Sequence, residues 1–225
     1  MKNLKIIISV LFTFLLVNSV CSQGKTSIHF GPSFPIRDFA LDDLDSENAG
    51  GAATGLNVGL QYVYPISENG LGLFGGIDFN YNELKADVKA DMEEQLENMG
   101  LNNMDIKYYN YINVPLTAGL SYNYKADKNI GLFANAGLAL NFLKITDMRI
   151  EAYGSSATQE MEIANSVGLK IGGGILFGEK TFISIDYLGL GKHDIEGVMK
   201  SGSQTQDVDG DVKVDLLTLT LGFRF

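Results

Sequence analysis

The chain has 225 residues and a formal net charge of −10, with 26 glycines, 13 phenylalanines, 10 tyrosines, no tryptophan and a single cysteine. The acidic balance argues against nucleic acid as a partner, because a polyanion is held by lysine and arginine. Beyond the first segment no run of about 18 apolar residues exists to cross a membrane as a helix, and the length fits one domain.

The first segment reads as a secretory signal peptide over residues 1–22. Lys2 and Lys5 form a basic start, Ile6 to Val17 an apolar stretch too short for a spanning helix, and Val20-Cys21-Ser22 a cleavage region before Gln23. Cys21 has the position of a lipoprotein acceptor, but Asn18-Ser19-Val20 matches the small-residue requirement poorly. Cleavage after Ser22 is preferred, which leaves residues 23–225 as one domain with no cysteine and no disulfide. Loss of Lys2 and Lys5 leaves 15 basic residues against 27 acidic ones, about −12.

Eight segments of alternating hydrophobicity follow, over residues 26–36, 53–64, 71–82, 108–124, 130–143, 165–177, 181–191 and 214–225. A period of two puts alternate side chains on opposite faces of a strand. The second strand shows Leu56, Val58, Leu60, Tyr62 and Tyr64 on one face and Gly55, Asn57, Gly59 and Gln61 on the other. The fourth and sixth repeat the pattern, with Ile112, Val114, Leu116 and Leu120, and with Val167, Leu169, Ile171 and Ile175. The last strand carries Leu217, Leu219, Leu221, Phe223 and Phe225 on its apolar face. Each strand is long enough to cross a bilayer at a tilt. Short turns (65–70, 125–129 and 178–180) alternate with long polar connections (37–52, 83–107, 144–164 and 192–213). The pattern predicts an all-β, eight-stranded antiparallel up-and-down transmembrane barrel with long extracellular loops and periplasmic termini.

A soluble lipocalin-like barrel has the same strand number but requires a charged outer face. Here the second face is rich in glycine, including Gly31, Gly59, Gly119, Gly172 and Gly222, which suits a crowded interior. That interior collects His29, Gln61, Asp78, Asn80, Asn113, Asn135, Asn141, Lys170, Asp186 and Arg224 beside Phe74, Phe133 and Phe182. Buried charges persist only when paired, so Asp78 requires a cationic or amide partner. The set reads as a polar plug that fixes register; the sharper alternative is a narrow conduit.

The signal peptide, the strand ladder, the terminal Phe225 and the segment Tyr111-Ile112-Asn113-Val114-Pro115-Leu116 resemble small outer-membrane β-barrel proteins of the OmpX/OmpW/PorT-like porin type. The resemblance implies residence in the outer membrane of a Gram-negative-type cell, in contact with its lipid and lipopolysaccharide. It also implies that Phe223 and Phe225 serve as a signal for the barrel-insertion machinery. It fixes no activity, since such proteins include adhesins, small-molecule channels and secretion accessories.

The long connections hold 21 of the 27 acidic residues and 9 of the 15 basic ones, so the net charge is displayed at one end. Solubility, cation capture and docking to a basic envelope or surface protein are all consistent with such a rim. Asp207, Asp209 and Asp211 alternate around Gly210, an incomplete match to a calcium loop and the one candidate metal set; no other cofactor is expected. Residues 83–100 predict an amphipathic helix ending at Gly100, with Leu84, Val88, Met92 and Leu96 on a stripe that covers the barrel mouth or a partner. His193 and Asp194 with Ser201 or Ser203 form a hydrolase set only by loose spacing, and no enzyme is expected. A structural or interaction role through the acidic loops is the leading expectation. A narrow channel or transporter for small solutes, hydrophobic ones included, is the alternative, and an outer-leaflet lipid enzyme a third.

Overall fold

The computed structural model describes residues 24–225 apart from 44, 45, 47, 102 and 103; the expected signal peptide lies outside the described residues. Among the described residues eleven strands form one antiparallel sheet, and eight of them close into a barrel. They are β1 (Lys25–Pro35), β2 (Gly55–Pro65), β3 (Leu71–Glu83), β4 (Asp105–Lys107), β5 (Asn110–Lys125), β6 (Ile130–Ile145), β7 (Met148–Ala152), β8 (Ser155–Met161), β9 (Ile163–Phe177), β10 (Thr181–Ser201) and β11 (Gln204–Arg224). The ring runs β1-β2-β3-β5-β6-β9-β10-β11 and closes where β11 pairs β1, with Ser27 opposite Arg224 and Pro35 opposite Leu216. No helix among the described residues is long and apolar enough to cross a membrane; strands do so instead.

The outward parity is the lipid face. Leu56, Val58, Leu73, Phe79, Leu138, Val167, Ile171, Ile185 and Leu219 are exposed. No soluble barrel of this size displays so wide an apolar band. Tyr64, Tyr122, Tyr124, Phe177, Phe223 and Phe225 gather outward at the short-turn end, an aromatic girdle of the kind found at a membrane interface. Closing eight strands leaves a bore only as wide as its side chains. Glycine makes room for them: a Cβ at Gly59 would stand 2.3 Å from Asp78 Oδ1 and 2.4 Å from His29 Nε2.

Six strands lie within two residues of their expected limits, and the last two do not. The hairpin β10–β11 continues past the membrane, with its turn at Ser201–Gln204 rather than around Gly210. Segment 192–213 is therefore strand, not loop, and 144–164 holds the β7–β8 hairpin. The strands β11-β10-β8-β7-β4 form a wall standing on the barrel rim. At 3.3 Å per residue, Gly191–Ser201 rises roughly 35 Å.

A β-bulge between Gly189 and Gly191 separates barrel from wall, and Gly191 takes a φ of +84°. The inserted residue shifts the parity by one. Below the bulge the even-numbered Phe182, Ser184, Asp186 and Leu188 face the bore; above it the odd-numbered His193 and Ile195 do.

At the rim a 3-10 turn, Arg37–Ala40, drives Phe39 into the mouth, where it meets Tyr111 edge-on with centroids 5.0 Å apart. The expected helix is present as α1, Ala86–Asn98. Its end is fixed by Gly100 at φ +87°, with Leu101 N–H bonded to the Leu96 carbonyl and Gly100 N–H to that of Glu97. Leu84 and Val88 are fully buried and Met92 packs on the same cluster as Phe39 and Tyr111. The apolar stripe thus covers the barrel mouth.

Candidate functional site

The bore is filled in three layers. At the short-turn end Phe133 and Phe182 meet edge-to-face, with centroids 5.4 Å apart, beneath Arg224. The middle layer is polar and centred on Asp78. His29 Nε2 donates to Asp78 Oδ1 at 2.7 Å, Lys170 Nζ pairs with Oδ2 at 3.3 Å, and Asn57 Nδ2 reaches Oδ1 at 3.3 Å. Lys170 thus crosses the bore to Asp78, whereas Asp186, on the strand next to Lys170, takes its hydrogen bond from Ser184. Asn141 Nδ2 donates to Asn113 Oδ1 and to His193 Nε2, at 2.8 and 2.9 Å. Pro115 stands opposite Asp78 where the β3–β5 ladder is interrupted, because proline has no N–H to offer.

The third layer, toward the long-loop end, is apolar: Phe39, Tyr111, Leu143, Leu188, Leu190 and Leu216 are all buried. Tyr111 donates its hydroxyl to the Gly50 carbonyl at 2.5 Å, tying the first rim segment to the bore. Leu143, Leu188 and Leu216 carry the inward parity in the sequence, but only closure of the ring brings them together as a layer. A polar layer with paired charges and an apolar layer above it fill the bore with side chains.

The wall has different chemistry. Register places Asp194 opposite Asp211 and Glu196 opposite Asp209. Glu162, between β8 and β9, bonds its N–H to the Glu196 carbonyl at 2.8 Å and so extends the pair formed by Glu196 on β10 and Asp209 on β11. Like charges directly opposite one another are unfavourable in a sheet. Ion pairs relieve only part of the surface: Lys192 with Asp211 at 2.7 Å, Lys200 with Glu160 at 2.7 Å, and Lys144 with Asp147 at 3.8 Å. Glu162, Glu196, Asp207 and Asp209 have no ion-pair partner among the described residues.

These carboxylates line a cleft of about 670 Å³ between the β10–β11 hairpin and the end of β8. It adjoins a second cavity of about 340 Å³ whose floor includes Tyr109, Ile145, Met148 and Ile195, and the two share Met161, Val208 and Asp209. Outside the membrane, burial and the Glu93 carboxylate hold the Tyr108 hydroxyl well above the ordinary tyrosine range. Tyr108 therefore remains a donor, bonded to Glu93 Oε1 at 2.5 Å, and fixes α1 beside the wall.

Asp207, Asp209 and Asp211 lie on β11, where alternate residues are about 7 Å apart. Among the described residues no group of three or more His, Cys, Asp or Glu side chains has the arrangement to hold a metal ion. His193 is not an exposed rim residue: the bulge turns it into the bore, fully buried, while Asp194 points out. Ser201, eight residues further along β10, is roughly 26 Å from it, so the hydrolase set is not brought together.

The sequence matches the family model for an outer membrane protein beta-barrel domain over residues 34–225. The chain belongs to that family. It is accordingly a protein of the Gram-negative outer membrane. Solved structures share the barrel. A major outer membrane protein from Thermus thermophilus aligns with a TM-score of 0.50 at 15% identity, covering 90% of this chain and 99% of that one. Neisserial surface protein A gives 0.47 at 13% identity, covering 90% and 96%. Ail, the attachment invasion locus protein of Yersinia pestis, gives 0.41 at 18% identity, covering 90% and 99%. No curated protein matches this outer-membrane barrel.

Proposed function

We propose that this outer-membrane barrel is an interaction protein, with its short turns and both chain ends on the periplasmic side and its acidic wall displayed outside the cell. The partner is a basic polypeptide segment carrying an apolar side chain. One observation carries this reading: Glu162, Glu196 and Asp209, without ion-pair partners among the described residues, line a cleft that meets, at Met161, Val208 and Asp209, an apolar cavity on the inner face of the same hairpin. An extended basic strand matches carboxylates spaced along and across a sheet, and an aliphatic or aromatic anchor fits the cavity. Desolvated anchors supply affinity, and charge supplies steering and register. The filled bore favours this reading over passage of solutes. It also leaves His193 buried and remote from Ser201.

The test uses the purified protein in alkyl-maltoside micelles and two synthetic peptides, one alternating lysine with leucine and one alternating glutamate with leucine. The lysine peptide is expected to bind with an affinity that falls steeply with salt, and Glu196→Gln with Asp209→Asn is expected to weaken it at least tenfold. Equal binding of both peptides, or binding insensitive to salt and to these substitutions, would refute the docking role. Reproducible single-channel conductance in planar bilayers would restore the channel.

A further inference from the structure

The opposite end of the barrel has the opposite charge. Lys25, Lys125, Lys128, Lys180 and Arg224 gather around the short turns, against Glu68, Asp127 and Glu179. Inside the strand ends lies a cavity of about 160 Å³, lined by Lys25, Lys125, Asn123 and Arg224 and walled by Val63 and Leu176.

Arg224 is the unusual member. It is only 8% exposed, yet no carboxylate pairs with it among the described residues. Its guanidinium stands 5.8 Å from the Phe133 ring centroid and 6.0 Å from that of Phe182. These faces hold the cation in place but accept no strong hydrogen bond. Of its five N–H donors one reaches Asn123 Oδ1 at a long 3.4 Å, and Nε is buried without any acceptor. A buried charge without a carboxylate is costly, and two aromatic faces and one long hydrogen bond offset only part of that cost. The planar fork with vacant donors is the geometry that takes a carboxylate or phosphate in a bidentate manner.

From this geometry we infer that the short-turn vestibule is a binding site for an oxyanion of the phosphate type, received by Arg224 with Lys25 and Lys125 at the entrance. The oxyanion completes the donor set of Arg224, and the apolar walls accommodate the first carbons of any chain attached to it. A free phosphate and a phospholipid headgroup share this chemistry. The site lies at the other end of the molecule from the acidic wall and does not depend on its role.

The test follows the arginine Nε–Hε resonances of ¹⁵N-labelled protein in alkyl-maltoside micelles. Inorganic phosphate and a short-chain alkyl phosphate are titrated separately. The chain contains three arginines, Arg37, Arg149 and Arg224, and Arg224→Gln assigns the relevant signal. A saturable shift confined to Arg224 is expected. Response to inorganic phosphate assigns the site to free anions, and response to the alkyl phosphate alone assigns it to headgroups. Gly131→Leu supplies a second variant, because a Cβ there meets Leu176 at an ordinary 3.4 Å and the longer side chain fills the vestibule. It is expected to weaken binding about tenfold while the barrel still shifts on a gel when boiled. No saturable shift with either anion, equal shifts at all three arginines, or unchanged binding in Gly131→Leu would each overturn the assignment.

Discussion

The hairpin β10–β11 crosses two environments, and its halves differ on only one side. Below Gly191 the outward positions are Ile183, Ile185, Leu219 and Leu221; above it they are Asp194, Glu196, Asp209 and Asp211. The inward side stays buried across the bulge, from Ser184 and Leu188 up to His193, Ile195 and Val212. What changes at the bulge is the solvent, from lipid to water. Tyr187 sits at the change, its hydroxyl donating to Asp215 at 2.5 Å and accepting from Arg37 at 3.2 Å. A strand can therefore be continuous while its function divides: the lower half anchors, and the upper half presents charge.

The contrast can be broken most severely where both halves depend on one network. Lys170→Met leaves Asp78 buried with only His29 and Asn57, and about 3–5 kcal/mol of stability should be lost. Urea unfolding in micelles, followed by the boiled-gel shift, measures it; Asp78→Asn in the same chain should recover part of the loss. Next, the same change placed in each half should give different results. Ile185→Lys puts a cation against lipid and should cost about 2–4 kcal/mol, whereas Glu196→Lys, facing Asp209 and Glu162, should be neutral or stabilising by about 0.2–1 kcal/mol.

A smaller effect is expected at the boundary. Gly191→Ala forces a left-handed φ on a residue with a Cβ and brings that Cβ to 2.4 Å from Ser166 Oγ, at a cost of about 1–3 kcal/mol. Loss should be accompanied by faster amide exchange in the wall than in the barrel. The mildest change is Tyr108→Phe, which removes the hydroxyl bonded to Glu93 and should cost about 1 kcal/mol. It should appear as local opening of α1 by hydrogen exchange, with the barrel unaffected.

This division also explains what the sequence revealed. Inside the membrane, lipid on one side and a packed bore on the other impose strict alternation, so six strands and the interior positions of His29, Asp78 and Lys170 were legible. Above the bulge the outer face is polar, and a strand such as Gln204–Lys213, with Asp207, Asp209 and Asp211 at alternate positions, has the composition of a loop. The bulge also turns His193, expected in a long rim connection, into the bore, because one inserted residue exchanges the two faces. Gly189 and Gly191, two glycines two residues apart where a strand was expected to end, were the available signal. The partners of Asp78 follow from closure of the ring, and the burial of Phe39 follows from the fold of a rim segment. Neither is encoded locally.

The most direct test of the displayed acidic wall is labelling of single cysteines in intact cells with a membrane-impermeant maleimide, in a Cys21→Ser background. Glu196→Cys should react without permeabilisation, and Lys128→Cys, at a short turn, should react only after it. The reverse order, or equal reaction of both in intact cells, would contradict the orientation on which an outward-facing docking surface rests.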